Sequence, residues 1–181
     1  MTVCWLLGCA PAETDRIGVF IGILHERAKH LPGEDRDEIA RALVRAERET
    51  AVDALLLLAM MEEESRFKPG AKSRRGALGL LQVLPATGRD VAERHQIPWD
   101  GPTTLLEPSV NLLIGAKYLA ELEQRFGSWD LALTAYNRGP TATRTAEKRG
   151  RNPSSRYAAR VIRQYDALRQ STEPANSLTP P

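Results

Sequence analysis

Met60-Met61-Glu62-Glu63-Glu64-Ser65-Arg66-Phe67 follows without a break on the apolar run 54–61. That run does not alternate and is far too short to span a membrane, so it reads as a helix buried on nearly all sides. Three carboxylates at the end of such a helix are ordinarily a solvated terminus. Successive helical residues turn by about 100°, so Glu62, Glu63 and Glu64 leave in three directions and at most one can face a cleft. A carboxyl group held there partly out of water has its charged form disfavoured and its pKa raised. That is the condition a general acid needs near neutral pH.

Outward from this helix, periodicity of the helical kind dominates, and no stretch alternates cleanly enough for a strand. Ile17, Phe20, Ile21 and Leu24 form a first stripe, ended by Leu31-Pro32-Gly33. Ile39, Ala42, Leu43 and Ala46 form a second. The central helix is expected over 52–64, with Lys68-Pro69-Gly70 as its stop. A Gly-rich segment, 76–83, leads into a helix around 85–94, and 97–104 reads as a loop. Pro108 opens a helix that carries Val110, Leu113, Ile114 and Leu122 inward and stops at Gly127. Ser128 caps a helix over 129–136, broken by Gly139-Pro140. Residues 141–153 read as a loop or a ragged helix. Ser154 or Ser155 then caps a last helix bearing Tyr157, Val161, Tyr165 and Leu168. The expected fold is all-α, with an N-terminal segment and helical extension over 1–33, a main domain over 34–170, and a Pro/Ser/Thr tail over 171–181 expected to be disordered.

The 181 residues can bury one real core, and 42% hydrophobic with 27% charged residues excludes collagen, coiled coil and wholesale disorder. A net charge of +2 says little, but 138–163 holds eight Lys/Arg residues against one acid, Glu147. This is either a solvated helix face or a surface drawn to an anionic polymer such as cell wall or lipid headgroups. Nucleic acid is not expected, because no binding module with interleaved aromatics is present. Cys4 and Cys9 cannot staple the body of the domain. Leu6-Leu7-Gly8-Cys9 resembles a bacterial lipobox, whose cysteine is lipidated after cleavage, but it lacks a basic n-region and a full apolar stretch. Either the true start lies upstream and Cys9 is a lipidation candidate, or the match is chance. His25-Glu26 with His30 is not a zinc motif: residues five apart on a helix point about 140° from each other. With His95 in a loop, no metal or other cofactor is expected.

Glu64-Ser65-Arg66-Phe67 has the pattern Glu-Ser-x-Phe, which resembles the catalytic segment of bacterial lytic transglycosylases of the goose-type lysozyme superfamily. Four further blocks follow in order. Lys72-Ser73, Gly76-Ala77-Leu78-Gly79-Leu80-Leu81-Gln82 and Pro85-Ala86-Thr87 are similar to the family's Gly-Leu-Met-Gln block, with Leu81 in place of the methionine, a volume-preserving change. Glu107-Pro108 through Asn111 and Gly115-Ala116-Lys117-Tyr118-Leu119 resembles its Asn…Gly-x-x-Tyr-Leu helix. Ala135-Tyr136-Asn137 resembles its Ala-Tyr-Asn block, and Arg156-Tyr157 with Val161 its closing helix. The likeness runs from about Ile39 to Leu168.

The resemblance implies a lysozyme-like helical domain with a substrate cleft and a peptidoglycan lytic transglycosylase activity. It implies that Glu64 is the catalytic acid, with Ser73, Gly79, Gln82, Tyr136, Asn137 and Tyr157 binding substrate. The residues suit those tasks. Gly76 and Gly79 remove side chains where a polymer must lie on backbone. Gln82 and Asn137 carry donors and acceptors for N-acetyl and hydroxyl groups. Tyr136 has a flat face and a hydroxyl tip. The plainer readings are turn glycines, amides facing water and core tyrosines, the last holding best for Tyr157. Trp99 and Trp129 are expected to pack. A hydrolytic glycosidase pairs two carboxylates across the bond, and no partner for Glu64 comes with the resemblance. The family route is intramolecular: Glu64 protonates the glycosidic oxygen, the muramoyl N-acetyl carbonyl stabilises the sugar centre, and Glu64 then deprotonates the C6 hydroxyl that attacks C1. The rivals are a lysozyme-like hydrolase and a non-catalytic cell-wall-binding module. The expected partner is the glycan strand and the expected location the periplasm or cell envelope, with membrane attachment if Cys9 is lipidated. The chain is expected to be a monomer.

Overall fold

The computed structural model describes residues 13–150 and 153–172, so the lipobox-like segment with Cys9 and residues 173–181 of the tail lie outside the described residues. Eight α-helices and one 3-10 helix make up the described regular structure: α1 (Glu13–Arg27), α2 (Gly33–Thr50), α3 (Ala54–Ser65), α4 (Pro85–Arg94), the 3-10 helix Pro102–Leu106, α5 (Pro108–Phe126), α6 (Trp129–Arg138), α7 (Pro140–Lys148) and α8 (Arg156–Thr172). The fold class is all-α, and the only strand-like pairings among the described residues are two isolated bridges, Lys72 with Leu78 and Leu78 with Val83.

Helix α3 is apolar on all sides up to its last turn. Every residue from Ala54 to Met61 is buried, because α8 and α2 pack against it. Each fully buried leucine contributes roughly 1.5–3 kcal/mol, which is why a helix without a polar face is stable here. Asp53 starts it: Oδ1 accepts from Leu55 N at 2.8 Å, and Oδ2 accepts from the Tyr165 hydroxyl at 2.7 Å, tying the start of α3 to α8. The N-terminal helix α1 is not detached. Phe20 and Leu24 are buried in the same core as α2 and α3.

Three stretches sharpen the sequence expectation. Helix α3 ends at Ser65, before Lys68-Pro69-Gly70, because Arg66 and Phe67 adopt left-handed backbone with φ of 52° and 60°. Burial of Phe67 offsets the strain that such a pair of non-glycine residues carries. The expected loop 97–104 contains the start of the 3-10 helix, where Thr104 and Leu105 turn inward. Residues 140–148 are helical because Pro140 sits in the first turn and buried Thr143 anchors the segment, its Oγ1 donating to the Gly139 carbonyl at 3.1 Å.

Candidate active site

The three glutamates at the end of α3 do leave in three directions. Glu62 accepts from Arg27 Nη1 of α1 at 2.6 Å. Glu63 accepts from Arg160 Nε of α8 at 2.7 Å and from Gln164 Nε2 at 3.3 Å. Glu64 makes no ion pair among the described residues. Burial pushes its carboxyl up to about 7, the nearby Tyr157 hydroxyl pulls it down, and the Glu63 charge adds to the rise.

Tyr157 reaches Glu64 from the first turn of α8. Its position is set by a small buried polar link between helices. Ser155 Oγ caps α8 by accepting from Ala158 N at 3.1 Å, while Thr134 Oγ1 of α6 donates to Ser155 Oγ and accepts from Ser155 N, both at 3.1 Å. The Tyr157 hydroxyl is buried and has no partner of proper hydrogen-bond geometry. It lies close enough to Glu64 for the two to shift each other, a loose polar contact rather than a formed bond; burial first, and the Glu64 charge second, raise the phenol well above its ordinary range.

The Gly-rich segment is held from below by Asn111 of α5, which is fully buried. Its Oδ1 accepts from Leu81 N at 2.8 Å, and its Nδ2 donates to the carbonyls of Leu78 and Leu105 at 3.0 and 2.9 Å. Gly79, with φ of +78°, makes room for this: any Cβ there would land on the Asn111 amide and the Leu105 carbonyl. Gly79 therefore serves the framework and faces inward. Gln82 also has a left-handed backbone, φ 49°, and its Nε2 donates to the carbonyls of Gly79 at 2.9 Å and Ala71 at 3.2 Å. Ser73 closes the preceding turn, its Oγ accepting from Ala77 N at 3.0 Å.

Tyr136 of α6 joins the two halves. Its hydroxyl donates to the Leu81 carbonyl at 2.9 Å, and Gly115 lets it approach, since a Cβ on Gly115 would press on Leu81 and on that hydroxyl. Burial, then the Glu64 charge, push its pKa well above the ordinary value. A groove of about 280 Å³ opens beside it, lined by Gln82, Tyr136 and Asn137 together with Tyr118, Arg75 and Arg138 among others. Tyr118 packs its ring on Tyr136 with centroids 5.4 Å apart. The structure thus brings together Gln82, Tyr136 and Asn137 on one groove, and Glu64, Tyr157 and Tyr136 around one carboxyl. Ser73 and Gly79 do not line the groove, and neither does Glu64. The sequence reading assigned no site role to Asn111, Gly115 or Tyr118. Asn111 had a signal: an amide placed on the apolar face of α5 beside Leu112 and Ile114. Trp99 packs, as expected, lying against Gly88, whereas Trp129 is exposed.

Residues 42–158 match the family model described as the Transglycosylase SLT domain. The chain is 41% identical over 90 residues to a soluble lytic murein transglycosylase of Salmonella typhimurium, covering 49% of this chain and 14% of that protein. It is 44% identical over 80 residues to a membrane-bound lytic murein transglycosylase C of Cronobacter sakazakii, covering 42% of this chain and 22% of that protein. The chain therefore spans a small part of these relatives. In three dimensions it resembles an inactive mutant of the lytic transglycosylase Slt of Pseudomonas aeruginosa, with a TM-score of 0.67 at 24% identity over 87% of this chain and 30% of that one. It also resembles the 70-kDa soluble lytic transglycosylase of Escherichia coli, with a TM-score of 0.63 at 24% identity over 88% of this chain and 30% of that one. At that identity the structural likeness speaks for the fold alone.

Proposed function

The chain belongs to the Transglycosylase SLT domain family, and on that premise we propose that it is a peptidoglycan lytic transglycosylase, cutting the β-1,4 bond between N-acetylmuramic acid and N-acetylglucosamine and leaving a 1,6-anhydro-muramoyl end. The observation that carries this reading is the contrast among the three glutamates. Glu62 and Glu63 are neutralised by arginines, while Glu64 is left without a cation beside two tyrosines, its pKa raised to about 7. Near neutral pH about half of such groups hold a proton to donate.

In the proposed reaction Glu64 gives that proton to the glycosidic oxygen as the bond to C1 breaks. The substrate's own N-acetyl carbonyl supports the electron-poor C1. Glu64, now a carboxylate, takes the proton of the C6 hydroxyl as O6 bonds to C1. One carboxyl serves both half-steps and is restored, and no water is consumed. The Tyr157 hydroxyl, unpartnered in the free protein, is placed to donate to the ionised form between the half-steps. Gln82 has Oε1 left for a sugar, since Nε2 is engaged with backbone. Asn137 offers both ends of its amide at the exposed rim of the groove. The substrate places the protein at the cell envelope or periplasm, and lipidation of Cys9 would hold it at the membrane. No helix among the described residues is long and apolar enough to cross one.

Digestion of purified peptidoglycan, with mass spectrometry of the fragments, tests the proposal. Anhydro-ended muropeptides, absent with Glu64→Gln, are the expected result. Reducing ends would make the protein a hydrolase of lysozyme type. No fragments at all from the wild-type chain would make it a binding module.

A further inference from the structure

The groove beside Tyr136 holds two cations that the proposed reaction does not use. Arg75 comes from the turn after Ser73, and Arg138 is the last residue of α6. Both are exposed, and neither has a hydrogen bond or ion pair among the described residues. Two other arginines around the glutamates are engaged: Arg27 holds Glu62 and Arg160 holds Glu63. No lining residue of the groove is acidic, so nothing within it neutralises the pair. The amides of Gln82 and Asn137 and the rings of Tyr118 and Tyr136 suit a neutral sugar. Two guanidinium groups on the same groove suit a planar anion, which each can bind in a two-pronged fashion.

We propose that Arg75 and Arg138 form a carboxylate-binding pair that recognises the free carboxylates of the peptide stem carried by the glycan strand, so that the protein selects stem-bearing strands over bare ones. This rests on the peptidoglycan reading above and names the part of the substrate the groove selects. Peptidoglycan offers two carboxylate sources. The stem carries them on its amino acids, and the lactyl group of muramic acid exposes one only when the stem has been removed. The position of both arginines at the exposed rim, outside the Glu64–Tyr157 centre, favours a group projecting away from the sugar backbone.

The test is equilibrium binding of the full chain carrying Glu64→Gln, which prevents cleavage, to three preparations: native sacculi, sacculi whose carboxyl groups have been converted to amides, and strands stripped of their stems by an amidase. The native preparation should bind most tightly. Adding Arg75→Gln and Arg138→Gln should weaken that binding about tenfold, the loss expected for charge-assisted hydrogen bonds, and leave the amidated and stripped preparations unchanged. The native advantage should also shrink with added salt. Equal losses on native and amidated sacculi would overturn the proposal, because the arginines would then be acting on neutral groups. Stripped strands that bind like native ones and suffer the same loss would overturn it too, assigning the pair to the lactyl carboxylate. Because nothing is cleaved in this assay, an error in the proposed reaction would show in the product analysis and not here. The exposed, unbonded state of both side chains keeps the fold of the variants intact, and each single substitution supplies the same comparison.

Discussion

Two polar centres, one inside the apolar core and one at its edge, treat their hydrogen bonds in opposite ways. Asn111 engages both ends of its amide: its oxygen takes Leu81 N and its nitrogen serves Leu78 and Leu105. The Glu64–Tyr157 centre leaves a buried hydroxyl without a proper partner and a half-buried carboxyl without a cation. A saturated centre fixes backbone, and its removal uncovers several buried groups at once. An unsaturated one costs stability and is ready for a ligand to complete it. The first holds the Gly-rich segment in place, and the second holds a proton near neutral pH.

The sharpest way to separate the two is to disable each. Glu64→Gln preserves size and hydrogen bonding but cannot move a proton. Loss of general acid–base help typically costs about 10²–10⁴ in rate, and in the proposed reaction both half-steps depend on one group, so turnover should fall at or beyond the upper end with the fold intact. Glu62→Gln and Glu63→Gln should be far milder. If Glu63→Gln is the dead variant, the wrong carboxyl has been placed at the reaction. Asn111→Ala should behave the other way round. It strips partners from one amide and two carbonyls and opens a void, for a loss of about 3–5 kcal/mol in denaturant unfolding. Unfolding energetics unchanged by Asn111→Ala would contradict its framework role.

The centres should also part in their pH dependence. Asn111 does not titrate. Glu64 has its folded pKa raised from 4.5 to about 7, so the folded state binds the extra proton and stability falls as pH rises through that window. The fall amounts to about 3 kcal/mol, by the linkage of pKa to free energy. Glu64→Gln removes it. The variant should match the wild type below about pH 4.5 and exceed it above pH 7 by several degrees in melting temperature. A constant difference across that range would mean that burial does not strain the carboxyl.

The helices were legible because their signals are local. The prolines at 85 and 108 and the serine at 128 each act within one turn, and α4, α5 and α6 begin where those signals put them. The candidate residues were legible only as an ordered set of blocks resembling a family. What the sequence could not show is geometry that depends on distant partners. Nothing local to Gly79 says that it makes room for an amide from α5 and not for substrate. Arg66, Phe67 and Gln82 adopt left-handed backbone without being glycine, because burial and the loop's hydrogen bonds hold them there. The direction of each glutamate was legible only as a disagreement among the three. Which one lacks a cation is decided by Arg27 and Arg160, 35 and 97 residues away in sequence.

The smallest effect, and the most discriminating, concerns the two tyrosine hydroxyls. Tyr136 donates to the Leu81 carbonyl at 2.9 Å, so Tyr136→Phe strands a backbone acceptor and should cost about 1 kcal/mol along with some turnover. The Tyr157 hydroxyl has no proper partner, so Tyr157→Phe removes a buried, unsatisfied group and should leave stability unchanged or slightly raised. Its signature is kinetic. Tyr157 pulls the Glu64 pKa down, so in Tyr157→Phe that pKa should climb further. The proposed reaction needs Glu64 protonated at the outset, so the fall in kcat/KM at alkaline pH should move to higher pH while the maximum rate drops. A lower maximum with an unmoved limb would detach Tyr157 from the carboxyl and leave it a packing residue. A clear loss of stability would show that its hydroxyl is satisfied after all, and that the two centres are less different than their geometry implies.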